Sequence, residues 1–257
     1  MKRSHPVSAL IRCVLAAAAA SSACGAAGLA SAAVGPGSIS GVWQRVGAPN
    51  GAVTDEMLET PTEILTADGS PVPTQPWAAA IVKKRLQDAE AGHPYASTKT
   101  RCLPAGVPDF GAGPIQILET PGQITILRQE FNFFRVIHLG GVHPAEIDPG
   151  YLGHSVARWE GDTLIVDTIG LSIKTTLSGI VPHSEDLHVV ERFHPTGPDT
   201  MDVQATIYDP KTFTRPWTLA TRLHRIPGRM MEYFCDNQRN PADADGNTTV
   251  LMPAAGA

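Results

Sequence analysis

GHSVARWEGDTLIVDTIG, residues 153–170, is the stretch on which the fold turns. Two runs of alternating polar and apolar residues flank Glu160-Gly161-Asp162. Alternation with a period of two is the mark of a half-buried strand, and Gly in the connection supplies the positive φ a tight turn needs. The stretch therefore reads as a β-hairpin, 153–159 and 163–170. Similar runs continue on both sides. Upstream lie Gly41 to Val46, Ile115 to Leu118, Ile124 to Leu127 after a Pro121-Gly122 turn, and Phe131 to His138. Downstream lie Leu187 to His194, Thr200 to Tyr208, Trp217 to Arg225 and Met230 to Cys235.

So many short strands with adjacent hairpins imply a mainly β protein built as an antiparallel meander. Such a sheet protects its edges by closing as a calycin/lipocalin-like barrel or by folding into a two-sheet sandwich. One helix interrupts the series. Pro76 suits a first helical turn, Gly92 suits a stop, and Ala78, Val82, Leu86 and Ala89 recur at helical spacing between them. A helix is expected near 76–91.

The chain has 257 residues with 24 Gly and 22 Pro, which favours turns and short strands within a single domain over 34–240. Residues 1–33 read as a secretory signal peptide: a basic start at Lys2, Arg3 and Arg12, a small apolar stretch, and a small-residue cleavage site near Ala32/Ala33. Periplasmic or secreted localisation is expected, with lipid anchoring at Cys24 as the alternative. Residues 241–257 read as a flexible tail. The formal net charge is -5, and no basic run exists beyond the N-terminus. Nucleic acid therefore lacks its electrostatic footprint as a partner, and no integral membrane span is expected. Cys13 and Cys24 leave with the signal, so Cys102 and Cys235 remain as an even pair in an exported chain. A disulfide between them would be worth about 4–5 kcal/mol in the chain-entropy picture.

HSEDLHVVERFH, residues 183–194, concentrates the chemistry. On a regular strand Leu187, Val189, Glu191 and Phe193 share one face, and His188, Val190, Arg192 and His194 share the other. His183 and His188 point oppositely, and His188 and His194 lie about 20 Å apart at roughly 3.3 Å per residue, so the stretch alone is no zinc site. Glu191 is the odd member of an apolar row, as is Asp167 between Ile165 and Ile169. Each acid either pairs with Arg158, Arg192 or Arg222, faces water, or lines an internal pocket where burial suits it to proton transfer. His154 shares a face with Val156 and Arg158, and His143 sits in a Gly-Gly-Val-His-Pro loop. The candidate catalytic residues are therefore His154, His188, Glu191, Asp167 and His183. The candidate ligand contacts are His143, Asp148, Trp159, Glu185 and Arg158. A metal held by several histidines with Asp148 or Glu185 is the minor alternative to a site with no cofactor. Nucleophile-elbow, Walker A, dinucleotide-fingerprint and H-E-x-x-H motifs are absent.

Several segments resemble a family of secreted bacterial proteins of uncharacterised activity. They are Arg101-Cys102-Leu103-Pro104, Glu119-Thr120-Pro121-Gly122, His143-Pro144, residues 153–171, PHSEDLHVVERF at 182–193, Asp209-Pro210 with Phe213 to Trp217, and Glu232 to Cys235. The resemblance implies that both cysteines belong to the family pattern, and that His183, Glu185, His188 and Glu191 fall on motif positions. Thr175 to Ser178 stands where relatives carry Thr-Trp-Leu-Asp, and Asp236 to Arg239 replaces Glu-Asn-Asn-Arg, which points to a different ligand or a lost activity. Two functions fit this sequence: an exported acid–base enzyme (a lyase, isomerase or hydrolytic step) acting on a small, partly apolar molecule, or a periplasmic small-molecule binding protein without catalysis.

Overall fold

The computed structural model describes residues 38–46, 66–111 and 113–233. All of them belong to a compact unit spanning Val34–Ala257. The expected cleavage region at 1–33 and the tail at 241–257 lie outside the described residues. So does Cys235, whereas Cys102 is disulfide-bonded.

Nine strands close into a barrel in sequence order. They are β1 (Gly41–Arg45), β2 (Ile115–Thr120), β3 (Gln123–Arg128), β4 (Phe133–Leu139), β5 (His154–Glu160), β6 (Thr163–Ile169), β7 (His188–Gly197), β8 (Thr200–Tyr208) and β9 (Trp217–Arg225). Strand β1 pairs antiparallel with β9 and so closes the sheet. The fold is mainly β, as the alternating runs require, and of the two closures open to such a meander it takes the lipocalin-like barrel. The hairpin read from residues 153–170 is β5 and β6, paired from His154↔Ile169 to Glu160↔Thr163, with Gly161 at φ 64° in its turn.

The meander differs from expectation in two places. Strands β4 and β5 run parallel, with Ile137 opposite Ser155. A parallel pair needs a crossover of a dozen residues or more. Residues 140–153 supply it without regular structure, tied down by Gly150 N–H to the Gly170 carbonyl at 3.0 Å and Ser172 N–H to the Gly150 carbonyl at 2.9 Å. The strand expected over Met230 to Cys235 is irregular through residue 233, and the remainder lies outside the described residues. Its backbone bonds side chains instead: Met231 N–H meets Gln129 Oε1 at 2.9 Å, and Asn132 exchanges two bonds with Tyr233. With β1 and β9 already paired, the sheet offers no edge for a tenth strand.

The lumen holds the core. Ile117, Ile124, Ile137, Leu164, Val166 and Met201 are wholly buried there. A second cluster, including Val107, Leu171, Leu187, Ile207 and Phe213, closes one end beneath the loops, and Phe110 packs against both. The helix α1 (Pro76–Glu90) has Pro at its start as expected. It is anchored to the loops at this closed end by Trp77 Nε1–H to the Lys211 carbonyl at 2.9 Å and Arg85 Nη1–H to the Ile180 carbonyl at 2.6 Å. The outer wall carries Arg158, Glu160, Arg192, Asp202 and Arg222. No helix among the described residues is long and apolar enough to cross a membrane.

Candidate functional site

The two acids singled out in the sequence face opposite ways. Strand β6 buries Leu164 and Val166 in the lumen, so Ile165, Asp167 and Ile169 face out. Strand β7 sends Val189, Glu191 and Phe193 inward and His188 outward. Of the alternatives open to these acids, an internal pocket lined by both does not form.

On the outer wall three neighbouring strands and the crossover converge. Asp167 lies in register between Val156 of β5 and Val190 of β7. His154 and His188 sit diagonally to either side of it. The crossover drapes His143 over the same wall, which is why a residue from a loop of no regular structure joins the strands. Asp167 Oδ2 is 3.0 Å from His188 Nε2, and Oδ1 is 3.0 Å from His143 Nε2. His143 Nδ1 is 2.8 Å from His154 Nδ1. His138 of β4 stacks on His154 with ring centroids 5.2 Å apart, and Tyr208 of β8 stacks on His188 at 5.4 Å.

The carboxylate anchors this chain of bonds. Desolvation acts to raise the Asp167 pKa, but the hydrogen bonds from His143 and His188 outweigh it and hold the carboxyl below its usual value. An ionised carboxylate only accepts, so both imidazoles donate Nε2–H to it. The His143 Nδ1···His154 Nδ1 bond carries a single hydrogen, and when it sits on His154 that ring keeps its lone pair on Nε2. A neutral imidazole that donates at Nε2, the arrangement open to His188, keeps its lone pair on Nδ1. Desolvation, with the charges of His143 and His138, pushes the His154 pKa below 6.5, so this imidazole is a neutral base near pH 7. Gly153 sets the entry to β5. Its φ is +61°, and a Cβ there would stand 2.5 Å from the Ile169 carbonyl oxygen.

Inside the barrel, Glu191 pairs with Arg135, Nη2 to Oε2 at 2.6 Å. Arg135 also donates to Ser155 Oγ at 3.1 Å and Thr168 Oγ1 at 2.7 Å. Glu191 thus pairs neither with Arg158, Arg192 or Arg222 nor with a histidine. Alternation alone could not identify a partner three strands away in the sheet. The pair lines a cavity of about 60 Å³ whose walls also include Trp43, Arg45, Asp109, Phe110 and Arg128.

The other candidates stand apart from the outer-wall cluster. His183 is buried, donates Nδ1–H to the Ser184 carbonyl at 2.8 Å and meets Thr175 Oγ1 at 2.8 Å. Desolvation lowers its pKa despite the neighbouring carbonyl and Asp209, which makes it a neutral structural imidazole. Glu185 is exposed and paired with Lys211 at 2.8 Å, Arg158 is exposed and paired with Glu160 at 2.6 Å, and Asp148 is exposed. Trp159 packs against the lumen core. Asp209 escaped the sequence reading. It is buried and accepts from Ser184 N–H, Ser184 Oγ–H, Thr212 N–H and Lys211 N–H at 2.7–3.2 Å. Its place in Asp-Pro, opening a turn after a strand, was the available signal.

Among the described residues no group of three or more His, Cys, Asp or Glu side chains is arranged to hold a metal ion. His143 uses one ring nitrogen on His154 and the other on Asp167, which makes it a bridge rather than a chelating arm. No family model matches the chain, and neither a curated protein nor a solved structure is similar to it.

Proposed function

We propose that the chain is an exported acid–base enzyme that moves protons on a small, partly apolar molecule, working on the outer wall of the barrel. Asp167 held between two imidazoles at 3.0 Å each is the observation that carries this reading. A carboxylate so placed fixes the tautomer and orientation of each histidine and stabilises the imidazolium that forms when it takes a proton. His188 Nδ1 and His154 Nε2 are the two sites that accept or return a proton. His143 is a positioning residue that links them through Asp167. Val156 and Val190, on either side of Asp167, offer an apolar rest for the substrate. The reading calls on no cofactor, and lyase or isomerase chemistry is the class it fits. Membership of the secreted family whose motifs the chain resembles, export through residues 1–33, and a Cys102–Cys235 bridge belong to the same proposal.

The test is proton exchange. Purified protein in deuterated water is incubated with a panel of small molecules bearing an acidic C–H next to a carbonyl, and label uptake is followed by NMR. Uptake above buffer that falls in folded His188→Ala and Asp167→Asn supports the reading. Uptake that survives both substitutions removes these residues from the chemistry. Binding without turnover is the second reading, favoured by the lumen cavity.

A further inference from the structure

The lumen presents a site of a different kind. Among the described residues its ion pairs leave one cation over. Arg135 is paired with Glu191 at 2.6 Å. Arg128 Nε is 3.2 Å from Asp109 Oδ2, and Lys99 reaches Asp109 at 3.2 Å and Glu130 at 3.9 Å. Desolvation opposes the charge on Asp109, but Arg128 and Lys99 overcome it and hold the carboxyl below its usual value. Arg45 has no carboxylate partner among the described residues. It follows Trp43 by two positions on β1, so it shares the inward face, opposite Leu223 of β9. Both neighbours line the cavity.

Two buried guanidinium nitrogens in this wall lack hydrogen-bond partners: Arg45 Nε and Arg128 Nη1. The Arg128 side chain is itself only 8% exposed. Asp109 Oδ2, Glu130 Oε2 and Glu191 Oε2 also lack one, but each belongs to a carboxylate already in an ion pair. One unmatched donor on the unpaired Arg45 and one on the buried, ion-paired Arg128 stand in a chamber whose acids, Asp109 and Glu191, are already in ion pairs and whose apolar walls include Ile115, Ile126, Phe193 and Val203. Together they describe a ligand with an anionic head and a short apolar body. The size agrees. At roughly 10–15 Å³ of such space per water, the chamber takes about four to six small heavy atoms.

We propose that the barrel lumen binds a short-chain monocarboxylate, with its carboxylate on Arg45 and Arg128 and its alkyl end on the aliphatic floor. The site involves none of the outer-wall histidines and stands whether or not they turn anything over. Acetate, propionate and butyrate are the probes, with butyramide and butylammonium as neutral and cationic controls at constant ionic strength. The full-length protein is titrated by thermal unfolding and by NMR.

Saturable stabilisation by the carboxylates alone is expected, with ligand contacts to the methyls of Ile115 and Ile126. Arg45→Met should weaken the affinity by about tenfold or more, the loss of a charge-assisted bond, and Arg45→Lys by less. The proposal is overturned if no carboxylate binds at millimolar concentration, if butyramide or butylammonium binds as well, or if the wild-type contacts lie outside the lumen. That last result needs no variant, so a poorly folding Arg45→Met does not leave the question open.

Discussion

Replacing Glu191 by Leu should unfold the barrel far more readily than its single lost ion pair suggests. The side chains of Glu191 and Arg135 are 3% and 8% exposed and stand 2.6 Å apart. Removing the acid leaves a guanidinium inside the lumen with only Ser155 and Thr168 hydroxyls for company. Breaking one side of a buried pair costs about 3–5 kcal/mol, because the surviving charge stays desolvated. For a chain of this size each kcal/mol moves the melting temperature by about 2–4 °C, so the fall should be roughly 6–20 °C. Arg135→Met should cost a similar amount at neutral pH.

The double variant removes both charges, and Ser155 and Thr168 still meet each other at 3.1 Å. It should be more stable than either single variant, with a coupling of about 2 kcal/mol or more. Urea unfolding followed by the fluorescence of buried Trp43 and Trp217 measures the cycle. Single variants that cost under about 1 kcal/mol, or costs that simply add, would refute a buried, mutually dependent pair.

Asp167→Asn should cut any proton-transfer activity at least about 100-fold, since an amide cannot accept from both imidazoles through equivalent oxygens. Nitrogen chemical shifts of His143 and His188 should report altered tautomers, and unchanged shifts would disconnect Asp167 from them. Stability should fall on acidification. His154 and His183 have folded pKa values below 6.5, so the unfolded chain binds protons that the folded one does not as pH drops through 6.5. Asp167 adds a second loss below 3.8, because its depressed folded pKa contributes stability only above that range. His183→Gln should flatten the first slope in urea midpoints taken on either side of pH 6.5, and a slope of opposite sign would contradict burial of neutral histidines. Asp209→Ala strips the acceptor from four hydrogen bonds and should cost about 2–3 kcal/mol by chemical unfolding, with Asp209→Asn milder. Gly153→Ala forces a side chain onto a φ of +61° and against a carbonyl, and should cost more than about 1 kcal/mol; an unchanged midpoint would show that β5 can shift at its start.

The strands, the hairpin at Glu160 to Asp162 and the helix near 76–91 were legible because each is a local pattern. Alternation places one face on a core whatever the core contains, and Pro and Gly mark ends by their own backbone limits. The clustering of His154, Asp167 and His188 was partly legible for the same reason: alternation separates the faces of each strand. Which face is the inside was not legible. Ile165, Asp167 and Ile169 look like a core row, yet Leu164, Val166 and Thr168 are the ones in the lumen. In a strand covered on both sides, apolar content no longer marks the lumen.

Composition and period thus determined a β protein with one helix and a histidine-rich centre, since both act through neighbours in the chain. Closure as a barrel, the parallel join of β4 to β5 and the drape of the crossover were decided only in three dimensions. They alone carry His143 to Asp167 and set Arg135 beside Glu191, because those contacts span 24 and 56 positions of sequence (143 to 167, and 135 to 191) and depend on strand order and register. Local propensity specifies neither.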